Sequence, residues 1–189
     1  MSKTPKDAKF IPLRVAVITI SDSRTEENDT SGDYLAGALS EEGHVVAARK
    51  IVRDDRYVLR AEFSALIADE NIQVIISTGS TGLTGRDVAP ESLQPLFDKE
   101  IEGFGELFRA ASIPDIGAST IQSRAFAGLA NATVVFCIPG SPGACRTGWE
   151  EVIRPQLDAR TRPCNLANLM PRFREFLRFT SSIPLIFAS

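Results

Sequence analysis

The chain has 189 residues, 43% of them apolar and 24% charged, with a formal net charge of −3. This composition fits one soluble globular domain with an ample core, and the slightly acidic balance rules out the basic footprint of a nucleic-acid binder. Three scattered cysteines and a single histidine support neither a disulfide framework nor a zinc site; no run of about 18 apolar residues exists to span a membrane, the charged start MSKTPKDAKF is unlike a secretory signal, and a cytoplasmic location is expected.

Residues 1–12 read as a flexible N-terminal arm, 13–170 as one domain and 171–189 as a C-terminal tail. Residues 13–20 (LRVAVITI) form a nearly continuous apolar run, as expected of a strand buried on both faces. A polar loop follows, then a helix over 34–42 with Leu35, Ala38 and Leu39 on one face and Gly43 as its stop. A second strand is expected over 45–52, ending at Asp54 and Asp55. A second helix over 57–69 places Leu59, Phe63, Leu66 and Ile67 at i, i+4, i+7 and i+8. The third strand, 74–78, empties into STGSTGLTGRDVAPES. Residues 90–97 look helical, and a longer helix is expected from Phe104 to Ala111. Residues 113–119 read as a connector and 122–130 as a short helix. A buried strand over 133–138 (TVVFCI) opens into PGSPG. The helix after it carries Trp149, Val152, Ile153 and Leu157 on one side, with Pro155 predicting a kink or an early stop. In the tail, Phe173, Phe176 and Leu177 lie at helical spacing.

Strands alternating with helices imply an α/β fold with a mainly parallel sheet and helices on both faces. In such folds ligands sit beyond the carboxyl ends of the strands. Four strands end in polar sets there: Ser21, Asp22, Ser23 and Arg24; Asp54 and Asp55; the glycine loop with Arg86 and Asp87; and Gly140, Ser141 and Gly143. A glycine loop leading to a proline-started helix suits an anion, above all a phosphate. Carboxylates beside such a loop suit Mg²⁺, which takes oxygen ligands and bridges phosphates. The loop is neither a P-loop, which needs GxxxxGK[ST], nor a GxGxxG dinucleotide fingerprint. Each residue also has an ordinary structural role open to it. The glycines could form a tight turn, Asp87 could cap the next helix, Asp54 and Asp55 could belong to a solvated turn, and Asp22 and Ser31 could be turn and cap residues.

STGSTGLTGRDVAPES resembles the signature loop of the MoaB/MogA molybdopterin-binding family, T-G-G-T-G followed by R-D and a proline-started helix. VAVITISDSR, EIEGFGELFR, IQSRA and CIPGSPGACRTGWEEVIRPQLDARTRPCN are similar to further family segments, and the last resembles the MoaB branch. The resemblance covers residues 13–165. It implies a Rossmann-like three-layer α/β/α domain that assembles as a homotrimer or homohexamer. It also implies a molybdopterin adenylyltransferase, which joins the terminal phosphate of molybdopterin to AMP from ATP, with Mg²⁺ and release of pyrophosphate. The alternative is a carrier that binds molybdopterin without turnover.

By the same resemblance, Asp87 and Asp54 are the catalytic candidates and hold Mg²⁺ directly or through water. Thr78, Gly79, Ser80, Thr81, Gly82 and Arg86 form the phosphate loop, and Ser21 and Asp22 line the same pocket. Glu100, Gly103, Phe104 and Gly105 shape the pterin side together with Ser123 and Arg124. Pro139, Gly140 and Ser141 face the nucleotide. Two departures stand out. Ser80 replaces the second glycine of T-G-G-T-G; at φ > 0 it costs about 1 kcal/mol or more, and otherwise its hydroxyl is free for a phosphate. Ala89 replaces the usual Thr at the helix cap, forgoing about 1 kcal/mol.

Overall fold

A computed structural model describes residues 4–175. Two compact units are present among them, residues 12–155 and the two chain ends together (4–11 with 156–175). The larger unit holds the sheet. Its strands are β1 (Arg14–Ile20), β2 (Val45–Val52), β3 (Val74–Thr78), β4 (Lys99–Glu100), β5 (Phe126–Ala130) and β6 (Thr133–Ile138). They lie in the order β2-β1-β3-β6-β5-β4. The first four in that order run parallel; β5 and β4 are antiparallel additions at one edge.

The helices of this unit are α1 (Thr30–Glu42), α2 (Arg56–Ala68), α3 (Ala89–Leu93), α4 (Glu102–Ile116) and α5 (Pro142–Thr147); α6 (Arg154–Leu157) follows a π turn over Gly148–Ile153. Alternate strand residues face opposite layers. Ala16, Ile18, Ile75, Val135 and Cys137 pack with Leu59 and Phe63 of α2 and Leu93 of α3. On the other face Phe136 meets Phe104 of α4 at a ring distance of 5.2 Å, and Thr19 bonds Asp29 at the start of α1. The result is the expected three-layer α/β/α arrangement. Cys137 is a core thiol, pushed up to about 12 by burial.

Several expectations are corrected. Residues 122–130 contain a strand, not a helix. Asn131 and Ala132 both have positive φ, 45° and 67°, which makes a two-residue hairpin between β5 and β6. The Phe97 ring also lies 2.1 Å from where a Cβ on Gly128 would stand, so only glycine fits that position of β5. Residues 113–119 are not a plain connector: α4 runs through Pro114 to Ile116, and a 3₁₀ stretch continues over Gly117–Gln122. Pro114 and Ala110, whose carbonyl loses its helical donor there, are both exposed, so that carbonyl can turn to water. Helix α1 starts earlier than expected because Asp29 caps it, accepting from the Gly32 N–H. Ahead of Pro155 the helix widens into the π turn, and it ends at Leu157, shortly after the proline.

In the smaller unit Thr4 is buried. Its hydroxyl donates to the Thr161 carbonyl at 2.8 Å, and its amide donates to the Pro163 carbonyl at 2.9 Å. The stretch expected as a flexible arm is therefore anchored at that point. Asn165 adds bonds to Thr4, Ala159 and Thr161. Phe176 and Leu177 of the expected tail helix lie outside the described residues.

Candidate functional site

Parallel pairing brings the ends of β1, β2, β3 and β6 to one edge of the sheet. Gly79 turns the chain there with φ of 103°, and a Cβ on it would stand 2.3 Å from the Ile20 carbonyl oxygen. Its amide donates to the Ile138 carbonyl at the end of β6. The Thr78 hydroxyl donates to the Pro139 carbonyl at 2.9 Å and the Ser31 hydroxyl to the Gly140 carbonyl at 2.9 Å. The glycine loop and the PGSPG loop are thereby held side by side. Ser141 caps α5 by accepting from the Ala144 N–H, and Pro142 occupies the first turn.

Between these loops lies a cavity of about 510 Å³. Gly79, Ser80, Thr81, Gly82 and Asp87 form one wall; Pro139, Gly140 and Ser141 form another; Ser123 closes a third side. Apart from Gly143, the remaining lining was not foreseen. Phe108, Ser112, Asp115 and Ile116 come from α4, Ser119 and Gln122 from the 3₁₀ stretch, and Gly143, Ala144 and Thr147 from α5. The signal for the α4 wall was the apolar and serine spacing beyond Phe104, which continues past Pro114 when the proline is not taken as a stop. Among the described residues no lysine or arginine lines the cavity. An anion there would rest on backbone N–H groups, helix starts and a cation.

Of the other candidates, Ser21, Asp22, Asp54, Thr78, Arg86, Arg124, Glu100, Gly103, Phe104 and Gly105 do not line the cavity. Phe104 is core and Thr78 is a tie between strands. Arg124 works from behind the loop: its guanidinium donates to the carbonyls of Gly82 at 2.7 Å and Asp87 at 2.9 Å, and it pairs with Glu91. Asp55 takes the ordinary role, capping α2 through the Tyr57 and Val58 amides.

Three carboxylates gather beside the cavity. Arg86 pairs with Asp22 and, with the Asp54 amide donating to it, holds Asp22 below the usual carboxylate range. Burial pushes Asp54 up; the Ser80 hydroxyl opposes the rise, and the charges of Asp22 and Asp87 add to it. Burial works against ionised Asp87 too. There the Thr84 hydroxyl at 2.6 Å, the Thr84 amide at 2.8 Å, the Gly82 amide and the Arg124 charge prevail, and Asp87 lies below the usual range. Negative charge is thus concentrated near Asp54, and among the described residues no basic side chain bonds its carboxylate. That donor set fits a hard divalent ion. Among the described residues no three acidic, histidine or cysteine side chains converge on one point, so such an ion would complete its shell with phosphate oxygens and water, as Mg²⁺ does.

Ser80 has φ of 60°. Its hydroxyl donates to Asp54 Oδ1 at 2.6 Å and accepts from the amides of Val88 at 2.8 Å and Ala89 at 2.9 Å. A hydroxyl has one proton and two lone pairs, so this one is saturated and is not free for a phosphate. It supplies the start of α3 with the cap that Val88 and Ala89 lack.

Residues 16–159 match the family described as "Probable molybdopterin binding domain". The chain belongs to this family. Molybdenum cofactor biosynthesis protein B of Escherichia coli K12 is 58% identical over 157 residues, covering 83% of this chain and 92% of that one. Its Bacillus subtilis counterpart is 44% identical over 146 residues, covering 77% and 86%. A crystal structure of a molybdenum cofactor biosynthesis protein B superposes with a TM-score of 0.79 at 39% identity, over 87% of this chain and 98% of that one. The tungsten cofactor synthesizing protein MoaB of Pyrococcus furiosus gives 0.63 at 36% identity, over 89% and 96%. These likenesses bear out the expected MoaB resemblance and the fold.

Proposed function

We propose that this protein acts in molybdenum cofactor biosynthesis and adenylylates molybdopterin. An oxygen of the terminal phosphate of molybdopterin attacks the α-phosphorus of ATP; the bond to the β-phosphate oxygen breaks and pyrophosphate leaves. The observation that carries this reading is the cavity between two strand-end loops, each leading to a helix start, with Asp87 in its wall and Asp54 beside it. Two phosphate-bearing ligands need two such cradles, and positioning supplies most of the rate. The glycine loop and the PGSPG loop hold the phosphates through backbone N–H groups. Asp87 and Asp54 would hold Mg²⁺, which offsets the charge of the reacting phosphates. The homotrimer or homohexamer and the cytoplasmic setting belong to the same proposal. Among the described residues no helix is long and apolar enough to cross a membrane.

A second reading, molybdopterin binding without turnover, is favoured by one feature: Asp54 is held by Ser80 and does not itself line the cavity. Mixing protein, molybdopterin, ATP and Mg²⁺ separates the two. Adenylyl-molybdopterin and pyrophosphate beyond one equivalent per subunit are expected. Tight pterin binding without product would establish the carrier.

A further inference from the structure

Asp54 stands outside the cavity, whereas Ser80, which touches it, lies in the cavity wall. Ser80 is a buried residue with every hydrogen-bonding position of its hydroxyl in use. Two of those bonds come from the amides of Val88 and Ala89 where α3 begins, and the third runs to Asp54, just past the end of β2. The loop segment between Ser80 and α3 carries Asp87, which is fixed in turn by Thr84 and Gly82. The Ser80 hydroxyl thus joins the two carboxylate-bearing segments directly, alongside the Arg86–Asp22 pair, whose Asp22 accepts from the Asp54 amide.

We infer that Ser80 is a positioning residue that acts through Asp54: its hydroxyl fixes the Asp54 carboxylate against the start of α3 and so sets its place relative to Asp87. In this arrangement the Ser80 hydroxyl makes no hydrogen bond to substrate, because it has no capacity left. The inference rests on the proposed role of Asp54 as a Mg²⁺ ligand, and the test keeps the two apart.

The test is a double-mutant cycle on Mn²⁺ affinity, read by electron paramagnetic resonance on the full chain with α,β-methylene ATP bound. Ser80→Gly is the first variant, because glycine accepts the positive φ and keeps the loop's backbone; Ser80→Ala is the second. Removing the hydroxyl should weaken Mn²⁺ binding about tenfold, the 1.4 kcal/mol of one lost hydrogen bond. In the Asp54→Asn background the same change should have little further effect. Full additivity in that background would overturn the inference, as would Mn²⁺ affinity unchanged in both Ser80 variants while Asp54→Asn alone weakens it. Unchanged affinity in Asp54→Asn alone would overturn the metal role of Asp54 and this inference with it.

Discussion

Two neighbouring aspartates at the end of β2 illustrate how one residue can separate structure from function. Asp55 caps α2 and is satisfied by backbone amides. Asp54 is pushed up by burial, with the charges of Asp22 and Asp87 adding to the rise. A carboxyl that binds its proton more readily folded than unfolded subtracts stability above its raised folded pKa, and that loss disappears as pH falls to the ordinary carboxylate range. Asp54→Asn should therefore unfold at a higher temperature than wild type near pH 7, with the difference shrinking near pH 4. Thermal melts at both pH values check it; a lower melting temperature in the variant at pH 7 would contradict the burial account. Asp87 has the opposite sign. Its folded pKa is depressed, so it adds stability at neutral pH that is lost as pH falls through that value. At Ser80, a left-handed serine costs about 1–2 kcal/mol, and three hydrogen bonds at about 1 kcal/mol each offset it.

Among the secondary-structure elements, α1 and the glycine loop depend on charged ties that reach across sequence. Asp29 is 1% exposed; it caps α1, accepts from Thr19, and pairs with Arg49 of β2 at 3.1 Å. Asp29→Ala removes a cap of about 1 kcal/mol and a bond to a charged group of about 2 kcal/mol. Chemical denaturation should show a loss of about 3 kcal/mol. The glycine loop depends on Arg124, whose planar fork reaches Gly82, Asp87 and Glu91 at once. A lysine ammonium cannot reproduce that fork. Arg124→Lys should raise amide hydrogen exchange across residues 82–88, whereas unchanged protection would show that the loop stands without the clamp.

Across the fold, the central strands were legible from sequence because a strand buried on both faces is a short apolar run. Expected and observed bounds coincide for β2, β3 and β6. The edge was not legible. The FAGLA segment reads as helix by composition, and its strand identity depends on the Asn131-Ala132 hairpin and on Phe97 packing over Gly128. The site divides in the same way. Its loops follow strand ends and announce themselves by glycine, proline and aspartate. The wall from Ser112 to Gln122 comes from α4 and the 3₁₀ stretch after it, and its signal is a helical spacing that continues past Pro114 and not a loop motif. Sequence also places Asp54 and Asp87 in one site, but only the structure separates Asp87, in the cavity wall, from Asp54, which reaches it through Ser80.

The measurement that bears most directly on adenylyl transfer compares wild type with Asp87→Asn, following adenylyl-molybdopterin formation and molybdopterin affinity in the same preparations. The account predicts turnover reduced at least about 100-fold, the loss typical of removing one electrostatic group at a transition state, with pterin affinity nearly unchanged. Turnover equal to that of wild type would contradict it.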